Sequence, residues 1–311
     1  MVSRVPFTDV LIKPGVSNFD SVQITENGRK LMLIRIVTRL GLKNSRILLS
    51  AYRKYISVRY KNRFNQFIKF RGFEIKVGKD LSLFPSLMRG DFEHEEMRML
   101  SRIKLESEIA IWDIGANVGV YSIFFAKNFQ ACKIVSFEPS KSTFELLKQN
   151  LFHNKCDQVL AINYGLGQST ESQILFKSSH GAGSNSIVLQ EGPQSTIGEE
   201  IKMTTIDGYI SNYPDLAPKL IKVDVEGYEP KVIMGGELFI KSQKPIIMME
   251  VFPLLWGKNA HIDWKLCLDF LFSTYGEGLE LRNQSSQLIS SLNFEKNLNQ
   301  RTLFFGLKGN I

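Results

Sequence analysis

The stretch that decides the fold is Ile111–Ser122, which reads Ile-Trp-Asp-Ile-Gly-Ala-Asn-Val-Gly-Val-Tyr-Ser. Residues 109–114 form a short apolar run, typical of a strand buried on both faces, and Asp113 lies near its end. Gly115 and Gly119 follow, and a helical pattern begins immediately afterwards. The stretch therefore predicts a strand, a glycine-rich turn and a helix, with glycines that permit a tight turn and the close approach of a ligand.

The turn does not match a dinucleotide site, because Asn117 stands where the middle glycine of G-x-G-x-x-G would lie. Asp113 also suits a cationic or hydroxyl-bearing ligand better than a phosphate. Residues 133–138 predict a second buried strand, and Glu138 at its end is well placed to accept hydrogen bonds from ribose hydroxyls. Two acids without a pyrophosphate turn fit S-adenosylmethionine, which carries an ammonium and two free ribose hydroxyls.

Three motifs occur in a fixed order along the chain. They are Asp113-x-Gly115-x-Asn117-x-Gly119-x-x-Ser122, Phe137-Glu138-Pro139 and Ile221-Lys222-Val223-Asp224-Val225-Glu226-Gly227-Tyr228-Glu229. On these motifs the chain resembles the FkbM family of S-adenosylmethionine-dependent methyltransferases over about residues 90–255. The resemblance implies a fold of the α/β class, with the Rossmann-like seven-stranded sheet of class I methyltransferases. It also implies O-methylation of a hydroxyl group, and we favour a sugar hydroxyl in a glycan or glycolipid.

Cofactor contacts are expected at the two acids and at the turn between them. The candidates are Asp113, Gly115, Asn117, Gly119 and Glu138. The resemblance adds Asn163, whose counterpart in the family lies beside the adenine half of the cofactor. It also places an acid that follows an aromatic residue next to the cofactor, and Phe92-Glu93 is the nearest match.

The best candidates for catalysis are acids at strand ends on the cofactor side. Methyl transfer requires an oxygen held near attack distance and a group that takes its proton. Asp224 and Glu226 follow the predicted fourth core strand, and Glu250 ends the predicted fifth. Alternatively, Asp224 pairs with Lys222 or Lys219 and Glu226 caps the next helix. We favour a catalytic role for at least one of Asp224 and Glu226, since an acid at the end of a buried strand is costly without a partner.

Composition excludes several other classes of site. The three cysteines are scattered, with no C-x-x-C pair and no zinc spacing, which indicates buried apolar residues in a reducing compartment. No histidine cluster or zinc-like set occurs, so we name no metal ligands, while an oxygen-only magnesium site stays open because spacing does not reveal one. The chain has neither a signal-peptide pattern nor an apolar run of the length that a membrane-spanning helix needs, so we expect a cytoplasmic protein.

The net charge of +8 is concentrated in one segment. Residues 27–73 contain 13 Lys or Arg and no Asp or Glu, while the rest of the chain has 26 basic and 31 acidic residues, a net charge of −5. We predict a basic, mainly helical extension over residues 1–71, with helix over 29–69, and a methyltransferase domain over 72–311. The basic segment has three interpretations: a helical cap with a solvated face, contact with an anionic membrane surface or lipid-linked substrate, or nucleic-acid binding.

Two further classes of function stay open at this point. An RNA methyltransferase would use the basic segment to hold phosphates, although no recognition module accompanies it. A catalytically silent scaffold would keep the fold without turnover. The loop at 178–186, rich in small polar residues and containing His180, is interpreted as a lid facing the substrate.

Overall fold

The structure is a computed structural model that describes residues 66–78, 83–178, 187, 195–252, 256, 263–282, 285–291 and 300–308. The predicted extension lies outside these ranges except for residues 66–71. The predicted lid also lies outside them beyond Ser178, and so does His180.

Thirteen strands and eight α-helices occur in the described ranges. The strands are β1 Ile68–Phe70, β2 Phe73–Ile75, β3 Ala110–Ile114, β4 Lys133–Phe137, β5 Val159–Ile162, β6 Gly165–Leu166, β7 Ser172–Ser178, β8 Ser195–Thr204, β9 Pro218–Val223, β10 Ile246–Val251, β11 Gly278–Arg282, β12 Ser285–Ile289 and β13 Arg301–Phe305. The helices are α1 Leu83–Arg89, α2 His94–Leu100, α3 Val120–Asn128, α4 Lys141–His153, α5 Ile206–Asn212, α6 Glu229–Met234, α7 Glu237–Gln243 and α8 Trp264–Tyr275. None of these helices is long and apolar enough to cross a bilayer.

Eight strands form the main sheet in the order β12–β11–β13–β10–β9–β3–β4–β5. The five strands from β10 to β5 run parallel, and β13 closes the sheet antiparallel to both β10 and β11. The predicted α/β class is therefore confirmed. The count of seven is too low by one, because β12 extends β11 as an edge hairpin. Its sequence, Ser-Ser-Gln-Leu-Ile, lacks the alternation that marks a strand.

The centre of the sheet is buried on both faces, as the apolar run at 109–114 predicts. All five residues of β3 are buried. Trp112 is fully buried, packs against Phe137 and Tyr209, and donates a hydrogen bond from Nε1 to the carbonyl of Leu216 at 2.7 Å. The strand that carries the glycine turn is thus fixed by large aromatic contacts on one face.

A smaller sheet, in the order β6–β8–β7, follows the third core strand. It is joined to the main domain by Glu199 of β8, whose carboxylate accepts hydrogen bonds from the Ser140 hydroxyl at 3.1 Å and the Lys141 N–H at 2.9 Å. Ser140 occupies the N-cap position of α4, but its side chain makes no capping bond. The carboxylate of Glu199 supplies it instead, across 58 positions of sequence.

The predicted end of the helix at 29–69 is wrong, because residues 68 and 69 belong to a short β-hairpin. Ile68 and Lys69 belong to β1, which pairs antiparallel with β2. Arg71 and Gly72 both have positive φ, which gives the tight turn that a hairpin needs and a helix cannot accommodate. The hairpin spans the predicted domain boundary at 71/72, and that boundary stays a prediction.

Asn150 of α4 fastens the segment after this hairpin to the glycine-rich turn. Its side chain is fully buried, accepts from the Lys76 N–H at 2.9 Å and donates to the carbonyls of Lys76 at 2.8 Å and Val118 at 2.7 Å. One amide therefore satisfies three backbone groups that no helix or strand pairs.

We predict that Asn150→Ala lowers the free energy of unfolding by about 2–4 kcal/mol, because it leaves buried backbone groups without partners. Urea denaturation followed by circular dichroism measures the change. Glu145→Ala, on an exposed position of the same helix, is the matched control and should change stability far less. An unchanged midpoint for the Asn150 variant would show that this amide does not hold the two segments together.

Candidate functional site

A cavity of about 350 Å³ opens at the carboxyl ends of β4, β3, β9 and β10, the edge where open α/β sheets bind ligands. Six of the nine predicted site residues line it: Gly115, Asn117, Glu138, Asp224, Glu226 and Glu250. Asp113, Gly119 and Asn163 are not in the lining. The cavity crosses three strand spacings, roughly 14 Å, from the acid after β4 to the acid on β10.

The turn after β3 is closed by the end of β4. The N–H groups of Gly115 and Ala116 both donate to the carbonyl of Phe137, at 3.0 and 2.9 Å. The carboxylate of Glu138 accepts from the Asn117 N–H at 3.0 Å and from the Ser140 N–H at 2.9 Å. Three successive N–H groups that would cradle a phosphate in a dinucleotide site are therefore used within the protein.

The two glycines of the turn are required by protein packing. A Cβ on Gly115 would lie 1.9 Å from the carbonyl oxygen of Asp224, and one on Gly119 would lie 2.6 Å from Leu147 Cδ1. Both have positive φ, 77° and 94°. The predicted tight turn is confirmed. The crowding at each glycine comes from other parts of the chain, so the structure attributes neither to the close approach of a ligand.

Two asparagines act differently at this end of the cavity. Asn117 has φ 50°, and its buried Oδ1 has no hydrogen-bond donor among the described residues. An unpartnered buried acceptor in a cavity wall fits a ligand that donates from a hydroxyl or an ammonium. Asn163 lies behind the wall, where its Nδ2 donates to the carbonyls of Glu138 at 2.8 Å and Pro139 at 2.9 Å. It thereby fixes the segment that carries Glu138.

Asp113 belongs to a buried chain of polar groups beneath the turn. The Ser136 hydroxyl donates to the Ser122 hydroxyl at 2.8 Å, which donates to Asp113 Oδ2 at 2.6 Å. The other oxygen of Asp113 lies 3.4 Å from Lys222 Nζ. Ser122 thus holds the carboxylate of the first motif in place.

Lys222 is the only basic residue among the described residues that line the cavity. Its ammonium donates to the carbonyl of Gly115 at 3.1 Å and lies 3.2 Å from Asp224 Oδ2. It also lies 5.1 Å from the centre of the Tyr121 ring. Burial alone would lower the pKa of Lys222, but the charges of Asp224 and Asp113 outweigh it and raise the pKa. Pairing of Asp224 with Lys222, one of the sequence alternatives, is present.

The acids at the opposite end of the cavity crowd one another. Glu226, two positions after Asp224, adopts φ 55° and lines the cavity. Burial, with the charges of Asp224 and Glu226, raises the pKa of Glu250 well above its ordinary value. Gln300 donates a hydrogen bond to Glu250. Among these acids, the carboxyl of Glu250 therefore holds its proton more readily than an ordinary glutamate.

Glu93 contributes a fourth acid to the same space, for which the sequence offered only a loose match. It lines the cavity, has φ 39° and accepts a hydrogen bond from the Tyr121 hydroxyl. Burial and the charge of Asp224 raise its pKa to about 8. Tyr121 and Lys222 were not predicted as site residues. A single lysine inside the apolar run 220–223 was the available signal, because a buried charge needs a partner.

Asp224, Glu229 and Glu250 have carboxylate oxygens within 4.8 Å of one another, a spacing that a divalent cation can use. Glu229, however, already accepts from the N–H groups of Val225 at 2.9 Å and Gly227 at 3.1 Å and from Trp256 Nε1 at 2.8 Å. Its carboxylate holds the loop after β9 in shape. We assign no metal to this group.

Comparison with known proteins is consistent with this arrangement. The methyltransferase FkbM domain family matches residues 113–273, which includes the glycine-rich turn and the acids after β9 and β10.

Two curated relatives are similar over part of their length. The hexuronic acid methyltransferase AglP of Haloferax volcanii is 27% identical over 156 residues, covering 50% of this chain and 61% of the relative. Methyltransferase sdnD of Sordaria araneosa is 28% identical over 160 residues, covering 42% of this chain and 61% of the relative. The matched region thus spans about three fifths of each relative.

Among solved structures, a methyltransferase FkbM from Methylobacillus flagellatus KT superimposes with a TM-score of 0.42 and 16% identity. The superposition covers 72% of this chain and 53% of that one. The family match extends over more than half of this sequence, and the chain therefore belongs to the FkbM methyltransferase family.

Proposed function

We propose that this methyltransferase uses S-adenosylmethionine and transfers its methyl group to a hydroxyl of a sugar. The observation that carries the proposal is the single cavity across four parallel strands, with Glu138 at one end and the carboxyls of Asp224, Glu226 and Glu250 at the other. Strand-end acids at this edge suit a ribose at one end and a hydroxyl nucleophile at the other.

The chain's own residues fit this cofactor at the end formed by β3 and β4. Glu138 is held by two N–H groups and keeps acceptor capacity for hydroxyl donors. Asn117 Oδ1 offers a second buried acceptor. When bound, S-adenosylmethionine supplies a methyl group activated on a sulfonium. Asp113 and Gly119 support the turn from behind, and Asn163 supports Glu138, so we propose that these three act through positioning.

At the other end, we propose that carboxyl groups orient the acceptor and take its proton. One of these groups, as a carboxylate, would take the hydroxyl proton when the oxygen bonds to the methyl carbon and the carbon–sulfur bond of the donor breaks. A carboxyl with a raised pKa would retain that proton. Glu250 has such a pKa, and Asp224 and Glu226 lie beside it. Asp224 is restrained by Lys222, whose ammonium lies 3.2 Å from Asp224 Oδ2.

A carbohydrate acceptor is supported by two features. Tyr228 and Phe252 line the acceptor end beside the acids, giving apolar faces next to hydrogen-bond acceptors, a combination that suits a sugar ring. AglP is named a hexuronic acid methyltransferase. The proposed basic extension over residues 1–71, and its contact with a membrane or lipid-linked substrate, rest on sequence charge alone.

The first prediction concerns the cofactor class. Calorimetric titration should show micromolar binding of S-adenosylmethionine and no binding of NADH, because the N–H groups of the turn are already bonded. Glu138→Ala should weaken S-adenosylmethionine binding by about tenfold to a hundredfold, through loss of charged hydrogen bonds. Glu145→Ala, at an exposed position of α4, is the matched control and should bind S-adenosylmethionine as wild type does. Binding of NADH by the wild-type protein would contradict the assignment.

The second prediction concerns pH. Burial raises the pKa of Glu138 to about 7, opposed by the N–H groups of Ser140 and Asn117. Ribose hydroxyls donate to the ionised form, so affinity for S-adenosylmethionine should fall as pH drops below 7, by about tenfold per pH unit. Glu138→Gln should abolish this dependence in calorimetry between pH 5.5 and 8.5. If Glu93→Gln abolishes it instead, Glu93 is the titrating group.

The third prediction concerns turnover. Asp224→Asn, Glu226→Gln and Glu250→Gln should each keep cofactor binding and reduce methyl transfer from labelled donor to sugar acceptors. Loss of a general base costs about a hundredfold to ten-thousandfold. Asp215→Asn, at an exposed acid on the 3-10 turn 214–216, is the matched control. Normal turnover in all three variants would exclude these carboxyls from catalysis.

A further inference from the structure

A single buried ammonium touches both halves of the cavity. Lys222 on β9 is 3% exposed. Its Nζ lies 3.1 Å from the carbonyl of Gly115 in the turn after β3, 3.4 Å from Asp113 Oδ1 and 3.2 Å from Asp224 Oδ2. Two of these oxygens belong to the cofactor half and one to the acceptor half.

These contacts of the side chain all lie within the protein. The ammonium donates to the Gly115 carbonyl and lies within ion-pair distance of Asp224 and Asp113, although Asp113 Oδ1 has no hydrogen-bond donor among the described residues. A buried cation already placed between two carboxylates is poorly suited to bind an anionic substrate. It is well suited to hold two carboxylates and a carbonyl from adjacent strands at fixed separations.

The same side chain reaches the remaining wall through Tyr121. The ammonium lies 5.1 Å from the ring centre, and the Tyr121 hydroxyl donates to Glu93 on the segment before α2. Lys222 therefore contacts the turn after β3, the end of β9 and helix α3. Through the hydroxyl of Tyr121 on α3, Lys222 is also linked to Glu93 in the remaining wall of the cavity.

We propose that Lys222 is the positioning residue of the methyl-transfer site, and that its ammonium sets the cofactor turn at a fixed distance from the carboxylate of Asp224. Its catalytic consequence rests on the proposed function, whereas its geometry rests on contacts within the protein alone. Replacement by a neutral side chain of similar volume would keep the packing and remove only the common counter-ion.

Several titratable groups face this ammonium or the carboxylates that it holds. They are Asp113 on β3, Tyr121 on α3, Glu93 before α2, Glu138 after β4, Asp224 and Glu226 after β9, Glu229 on α6 and Glu250 on β10. Removing Lys222 leaves this group with no cation among the described cavity-lining residues. Acids deprived of their counter-ion bind protons more readily, so the variant should gain relative stability as pH falls.

The first test measures the melting temperature without any ligand between pH 5 and pH 8. Lys222→Met should melt about 10 °C below wild type at pH 8, and the difference should shrink towards pH 5. Lys219→Met, at an exposed position of the same strand, should match wild type throughout. Lys222→Arg should recover the wild-type dependence of the melting temperature on pH, since it restores the positive charge. A difference that is constant with pH would overturn the proposal.

The second test measures cofactor affinity and turnover. Lys222→Met should weaken S-adenosylmethionine binding by at least about tenfold at pH 8 in calorimetry. Lys222→Arg should retain S-adenosylmethionine binding but have a lower kcat. A longer, planar guanidinium cannot reproduce the three distances that the ammonium keeps to Gly115, Asp113 and Asp224. Equal kcat in wild type and Lys222→Arg would overturn the positioning role. Failure of wild type to bind S-adenosylmethionine would instead refute the proposed function, and the melting series would still decide the role of Lys222.

A double variant tests whether the ammonium and Asp113 are coupled. If Lys222→Met does not fold, a folded double variant is the expected result, and an unfolded one would overturn the proposal. Lys222→Met with Asp113→Asn neutralises both partners of one contact, so the double variant should melt higher than Lys222→Met alone. If the two losses add instead, the ammonium and Asp113 are not coupled, and the proposal is wrong.

Discussion

The backbone of Gly115 lies directly against the carbonyl of Asp224, and the rest of the site depends on this contact. A single added carbon would lie 1.9 Å from that oxygen. The close approach brings the turn after β3 level with the acids after β9, so that one cavity spans both. Lys222, bonded to the carbonyl of the same glycine, adds an electrostatic restraint to a steric one.

The cavity wall offers hydrogen-bond acceptors and carboxyl groups, which suit a ligand that carries hydroxyls and a positive charge. Its turn offers no free N–H at residues 115–117, because Phe137 and Glu138 accept all three. What remains available is acceptor capacity on Glu138 and Asn117 at one end and carboxyl groups at the other. This distribution of acceptors, with no free N–H in the turn, supports the proposed sulfonium cofactor over a dinucleotide.

Sequence patterns predicted the sheet well and the site in part. Apolar runs followed by an acid located β3, β4, β9 and β10, since strands buried on both faces need continuous apolar residues. Strand β12 was missed because Ser-Ser-Gln-Leu-Ile has no alternation. Sequence patterns did not show which acids line the cavity and which lie behind it, because that depends on side-chain direction and long-range contacts.

Asp113 and Glu138 illustrate that limit. Both end a buried strand and both looked alike in sequence, yet Asp113 bonds Ser122 and Lys222 beneath the turn while Glu138 faces the cavity. Glu93 lies 28 positions from its partner Tyr121, and no local periodicity reports such a pair. The sequence offered Lys222 as a partner of Asp224, but it gave no sign of the contacts with Asp113 and the Gly115 carbonyl, which lie on another strand and its turn.

The bonding of the turn to β4 also bears on how this family can change its ligand during evolution. The Asn117 N–H and the carboxylate of Glu138 lie 21 positions apart in sequence and function as one unit. Replacing the turn by a glycine-rich loop would not create a phosphate cradle while the end of β4 still occupies the amides. Replacing Glu138 alone would leave only the Asn117 and Ser140 N–H groups without their partner, because Gly115 and Ala116 still donate to the carbonyl of Phe137. A phosphate cradle at this turn would therefore need coordinated changes in the turn and at the end of β4.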